Sequence, residues 1–178
     1  MKSFFPFLSV LLLLGFFSNA NAQCGNGRYY NQIFSSKVST TILFGNAMMA
    51  DSTYINLYMD IYEPQGDLLA RRPLMVLAFP GSFTAGIRES PDIVQLCDNF
   101  SKRGYVCASI DYRLGFDYPS DCDTNQFKAL IRGVQDMKAA VRFFYKDVQT
   151  TNAWRIDTNQ IFIGGSSAGA FIALNYAY

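Results

Sequence analysis

The chain has 178 residues, half of them hydrophobic and 16% aromatic, with a formal net charge of +1. Apolar content on this scale excludes a disordered chain, and near-neutral charge leaves no electrostatic bias toward nucleic acid. There is no histidine and no Cys-x-x-Cys spacing, so neither a zinc site nor a cysteine–histidine nucleophile pair can be built from these residues.

Lys2, an apolar run from Phe4 to Phe17 and the ending Ala20-Asn21-Ala22 read as a secretory signal peptide over residues 1–22, cleaved after Ala22. The run is shorter than the roughly 20 residues a membrane span needs, so no stable span is expected once it is removed. Residues 23–178 are therefore expected to form one domain working outside the cytoplasm, secreted or periplasmic. In an oxidising compartment Cys24, Cys97, Cys107 and Cys122 allow two bridges, and three pairings are open. Cys107 falls in an apolar run and reads as a small core hydrophobe.

Two strands are expected next, Lys37 to Phe44 and Tyr54 to Tyr62, joined as an antiparallel hairpin by a loop carrying Gly45, Asn46 and Asp51. The second strand alternates, with Ile55, Leu57, Met59 and Ile61 on one face, and Glu63 to Asp67 reads as the loop that ends it. Leu74 to Phe79 is a continuous apolar run suited to a strand covered on both faces. A glycine-containing loop, Pro80 to Gly86, follows. Ser90-Pro91 predicts a helix start, with Ile93, Val94, Leu96, Cys97 and Phe100 as its apolar stripe up to Gly104. Tyr105 to Ile110 is a further buried strand, leading into Asp111-Tyr112-Arg113-Leu114. After a polar loop, a long helix is expected from about Gln126 to Val148, with Leu130, Val134, Met137, Ala140, Val141 and Phe144 facing inward.

The remaining stretch, Ile161 to Ala173, combines a short apolar strand, the turn Gly165-Ser166-Ser167-Ala168-Gly169 and an apolar helix. The turn matches Gly-x-Ser-x-Gly. A serine held above the end of a strand sits in a strained turn, and its neighbours two residues away must lack colliding side chains. Ser167 is thus a candidate nucleophile, and the Ala168 N–H, first in the helix, a candidate oxyanion donor. The competing reading is an ordinary glycine-rich turn. A dinucleotide-binding turn lacks its Gly-x-Gly-x-x-Gly pattern. The alternation of strands and helices after a hairpin predicts an α/β fold with a mostly parallel sheet and helices on both faces, whose ligands bind at the carboxyl ends of the strands.

Phe79-Pro80-Gly81-Ser82-Phe83-Thr84-Ala85-Gly86, then Ser109 to Leu114, then Ile156 to Ile161 running into the Ser167 turn, resemble successive landmarks of α/β-hydrolase carboxylesterases. The nearest likeness is to the carboxylesterase, hormone-sensitive-lipase-like group, which includes secreted feruloyl and acetyl-xylan esterases. The resemblance covers about Lys37 to Tyr178. It implies an α/β-hydrolase fold acting on small-molecule or polysaccharide esters without metal or organic cofactor. It also implies that Gly81 and Ser82 supply oxyanion-hole amides beside that of Ala168. The sequence departs from the family where Phe79 and Pro80 replace histidine and glycine, since proline brings no N–H. Asp111 and Arg113 are expected to anchor loops and carry no chemistry.

In this fold the acid and histidine follow the nucleophile, yet these 178 residues hold no histidine. The chain is therefore expected to be the amino-terminal part of a serine ester hydrolase, truncated after the Ser167 turn and inactive by itself. The alternative is a non-catalytic binding module on a degenerate hydrolase scaffold.

Overall fold

The computed structural model describes residues 27–116, 120 and 122–178. Residues 1–22, read above as a signal peptide, and Cys24 lie outside the described residues. Eight elements follow in order: β1 (Ser35–Met48), β2 (Tyr54–Gln65), β3 (Arg72–Ala78), α1 (Pro91–Ser101), β4 (Val106–Ile110), α2 (Asp123–Gln149), β5 (Ile156–Gly165) and α3 (Ala168–Ala177).

The strands form one sheet in the order β1-β2-β4-β3-β5. β1 pairs antiparallel with β2, and β2 antiparallel with β4, Met59 lying opposite Ile110. β3 runs parallel to both β4 and β5, with Val76 level with Ala108 on one side and Ile163 on the other. The expected hairpin and the expected parallel core are both present.

The alternation in β2 places Leu57, Met59 and Ile61 in the core. Asp60 and Tyr62, on the other face, are also buried. Here the second face is covered on the α1 side, so the polar half of the pattern is buried too: Asp60 accepts from Thr41 Oγ1 of the neighbouring β1 at 2.7 Å and from Arg88 Nε at 3.0 Å. The strand also outruns its expected end. Glu63 to Gln65, read as loop, stay paired with β1 through Lys37, Ser36 and Ser35. Pro64 is tolerated because β2 has already parted from β4 after Tyr62.

Pro91 opens α1 as expected, but the Ser90 side chain makes no capping hydrogen bond. α1 buries Ile93, Cys97 and Ser101, spaced four apart. α2 starts at Asp123, three residues before the expected Gln126, and buries Ala129, Gly133, Met137, Ala140, Val141 and Phe144. Leu130 and Val134 are only half-buried, so the inward stripe is turned toward Ala129 and Gly133. The reason is close helix packing: a Cβ at Gly133 would stand 2.6 Å from Ile172 Cδ1 of α3. Asp136, on the same face, is 2% exposed. It accepts from Arg113 Nε at 3.0 Å and from the Arg113 amide at 2.8 Å, and Arg113 also donates to the Met48 carbonyl at 2.8 Å. One ion pair thus ties the segment after β4 to α2 and to the end of β1, the anchoring role expected of Arg113. Burial pushes the Asp136 carboxyl above its ordinary range although Arg113 opposes the shift.

Candidate active site

Because β3, β4 and β5 are parallel, the segments after Ala78, Ile110 and Gly165 emerge at one edge of the sheet. The Ser167 turn is there. Ser167 has φ 48° and ψ −115°, a conformation that side-chain-bearing residues rarely adopt. Its surroundings hold it there. The Ser166 amide donates to the Ala78 carbonyl at 3.3 Å, the Gly169 amide to the Ser166 carbonyl at 2.9 Å, and the Phe171 amide to the Ser167 carbonyl at 3.1 Å.

The two flanking glycines are required by backbone contact. A Cβ on Gly165 would lie 2.5 Å from the Ala78 carbonyl oxygen, and one on Gly169 only 2.1 Å from the same atom. β5 and α3 can therefore meet so sharply only where both positions lack side chains. The result leaves Ser167 exposed while Ala168 and Gly169 are buried. The Ala168 amide has no hydrogen-bond partner among the described residues, as the first turn of a helix requires.

The segment after β3 is equally constrained. Ser82 and Phe83 both have positive φ, 52° and 64°. The Gly81 carbonyl accepts from Thr84 and Ala85 amides at 2.9 and 3.2 Å, making a tight turn in which a Cβ on Gly81 would collide with the Ala85 carbonyl. The Phe83 carbonyl accepts from the Gly115 and Phe116 amides at 3.0 and 3.2 Å, fastening this loop to the one after β4. Beneath it, Phe79 is 2% exposed and its ring stacks on Tyr112 at 4.2 Å, while the Tyr112 hydroxyl donates to the Phe79 carbonyl at 3.0 Å. Phe79, standing where the resembled family has histidine, is thus a buried prop for the loop. The amides of Ser82 and Phe83 have no partner among the described residues.

Farther along, Arg88 binds Asp60, Asp111 and Glu89. Its carbonyl accepts from the Ser109 hydroxyl at 2.6 Å. Asp111 also accepts from the Tyr58 amide at 3.1 Å, the anchoring expected of it. Burial raises the Asp111 carboxyl above its ordinary range, with Arg88 and the Tyr58 amide pulling against the rise.

Ser82, Ser167 and Ala168 line one cavity of about 410 Å³. Gly81, expected to supply an oxyanion-hole amide, does not line it. Phe83, Phe127, Leu130 and Phe171 give the cavity its apolar wall, and Asp123 and Gln126 add polar groups. Phe83, Gln126, Phe127 and Phe171 were not anticipated. The left-handed backbone at Phe83 has no sequence signal, and the first turns of α2 carry no motif. Among the described residues no group of three or more His, Cys, Asp or Glu gathers as metal ligands would, and no helix is long and apolar enough to cross a membrane.

An exposed serine, two stretches of unpaired amide and an apolar cavity suit capture of a polarised carbonyl next to a nucleophile. The BD-FAE family model matches residues 59–178. No curated protein matches the sequence. Among solved structures, the chain is similar to a thermophilic esterase from the planctomycete Thermogutta terrifontis, with 24% identity and a TM-score of 0.58 over 76% of this chain and 42% of that one. The apo form of Thermogutta terrifontis esterase 2 gives 25% identity and a TM-score of 0.56, covering 82% of this chain and 47% of that one. A bacterial heroin esterase gives 21% identity and a TM-score of 0.56, covering 80% and 38%. The chain thus spans less than half the length of each of these structures, and what it shares with them is a partial α/β-hydrolase fold.

Proposed function

The chain belongs to the BD-FAE family, and we propose that it carries the nucleophile half of a serine ester hydrolase. The observation that carries this reading is the meeting of Ser167, the Ala168 amide and the Ser82 loop around one cavity. In this reading the Ser167 turn is a nucleophile elbow. The Ser167 hydroxyl attacks an ester carbonyl, forming an acyl-enzyme and releasing the alcohol, and water then frees the acid. The developing oxyanion is held by the Ala168 amide at the positive end of α3 and by the Ser82 amide of the loop after β3. Losing one such donor costs a factor of about 10² to 10³ in rate.

A serine needs a base to become a nucleophile, and these 178 residues contain no histidine. We assign the histidine and its acid to sequence these residues do not include, in keeping with the chain order of the fold and with the 42% coverage of the Thermogutta esterase. Small-molecule or polysaccharide esters are the substrates we propose. The sequence of residues 1–22 supports action outside the cytoplasm.

The test is hydrolysis of p-nitrophenyl acetate by the full-length protein and its Ser167→Ala variant. The reading expects kcat/KM to fall by at least about 10³-fold. Unchanged hydrolysis in Ser167→Ala would refute it. The missing histidine also favours a second reading, a non-catalytic binding module, which predicts no hydrolysis by the wild-type protein.

A further inference from the structure

The face of β4 covered by α1 can be read residue by residue. Tyr105, just before the strand, packs its ring edge-on against Phe100 of α1 at 5.4 Å. At the other end of β4 the Ser109 hydroxyl donates to the carbonyl of Arg88, which precedes α1. Side chains two apart on a strand share a face, so Cys107 points to the same side as both. From Arg88 through α1 to Phe100 the chain runs back along β4, and Cys97 lies one helical turn before Phe100 on the buried stripe with Ile93 and Ser101. This geometry sets Cys97 over Cys107. Both residues are fully buried free thiols, and Cys97 adds to the upward shift that burial imposes on the Cys107 thiol.

We propose that Cys97 and Cys107 form a disulfide when the protein folds in the presence of a disulfide oxidant, locking α1 onto β4. The reaction balances as ordinary thiol–disulfide exchange. One cysteine thiolate attacks a sulfur of the oxidant, for example oxidised glutathione, and releases one thiol. The second cysteine thiolate then attacks the mixed disulfide and releases the other thiol. Two protein thiols are oxidised, the oxidant is reduced, and two protein protons leave. Burial drives the Cys107 thiol well above its ordinary range and neither sulfur is open to solvent. The bond therefore forms before α1 closes over the strand, and an already folded, reduced protein oxidises slowly. Of the three pairings four cysteines allow, this leaves Cys24 and Cys122 as the other pair of thiols, and Cys122 is exposed. The lock bears on α1, which directly follows the loop carrying Ser82.

Peptide mapping tests this. The full-length protein is refolded with oxidised and reduced glutathione, denatured, alkylated with iodoacetamide without reduction, digested and weighed by mass spectrometry. The expected result is a cross-linked pair of peptides containing Cys97 and Cys107, two hydrogens lighter than their sum, that persists in Cys122→Ser. Reducing the bond should lower the melting temperature by about 10 °C, given the short loop it closes. Alkyl groups on both Cys97 and Cys107 in the oxidised, folded protein, or a link from either to Cys24 or Cys122, would overturn the proposal.

Discussion

Replacing Gly169 with alanine separates local propensity from tertiary geometry, because the two predict opposite signs. Gly169 lies in the first turn of α3, and as an isolated helix position it would gain about 1 kcal/mol on becoming alanine. In the folded protein the new Cβ would meet the Ala78 carbonyl oxygen at 2.1 Å, its carbon at 2.6 Å and the Phe79 oxygen at 2.9 Å. All three are backbone atoms at the end of β3, and ordinary contact begins at 3.4 Å. The start of α3 must therefore retreat from β3 by roughly 1 Å in a close-packed interior. Overpacking against rigid neighbours costs about 3 kcal/mol, which leaves a net loss of about 2 kcal/mol after the helix gain. For a protein of this size that lowers the melting temperature by about 4–8 °C. Gly164→Ala is the internal control. Its Cβ would meet only Leu77 Cδ2, the flexible end of a side chain, at 3.1 Å, so its stability should change by no more than about 0.5 kcal/mol. Thermal and urea unfolding followed by circular dichroism measure both. A Gly169→Ala protein as stable as wild type, or two variants that behave alike, would refute the steric account.

Two other perturbations follow from the ionic contacts. Asp136→Ala leaves the Arg113 guanidinium buried without its partner and should cost about 3–5 kcal/mol in urea unfolding; a loss below about 1 kcal/mol would show that the pair does not anchor the segment after β4. Asp67 gives a pH signature. Burial alone would raise its carboxyl, but Arg28, donating at 2.9 Å, and the Leu69 amide at 3.0 Å bring it below its ordinary value of 3.8. A lowered folded-state pKa stabilises the protein above pH 3.8, and that stability is lost as pH falls through the folded value. The stability gap between wild type and Asp67→Asn should therefore be widest near neutral pH and shrink below pH 3.8. A gap that does not change with pH would contradict the assignment.

The architecture was readable because its central strands are unbroken apolar runs and α1 opens on a proline, whereas the start and the inward stripe of α2 were displaced by its packing on α3. Leu74 to Ala78, Val106 to Ile110 and the Pro91 helix start all fall where periodicity and proline chemistry put them. Gly165 and Gly169 were readable for a different reason, since a backbone collision forbids any side chain at either position. What escaped the reading depends on contacts between segments distant in sequence. Asp60, Asp136 and Arg72 are charged residues in buried places, held by Arg88, Arg113 and Glu63 respectively, and pattern reading sends charges to the surface. Phe79 looked like a defect in an oxyanion loop and is a packed prop under it, a role visible only once Tyr112 is seen against its ring. The cavity wall from Phe127 and Phe171 was hidden because it forms only when the starts of α2 and α3 come together.

The most direct measurement of the central claim is covalent labelling of the full-length protein with a fluorophosphonate probe, followed by peptide mapping. If Ser167 is the nucleophile, one adduct forms, it maps to Ser167 and not to Ser166 or Ser82, and Ser167→Ala abolishes both the adduct and ester hydrolysis. An adduct on another residue, or hydrolysis that survives in Ser167→Ala, would contradict the account.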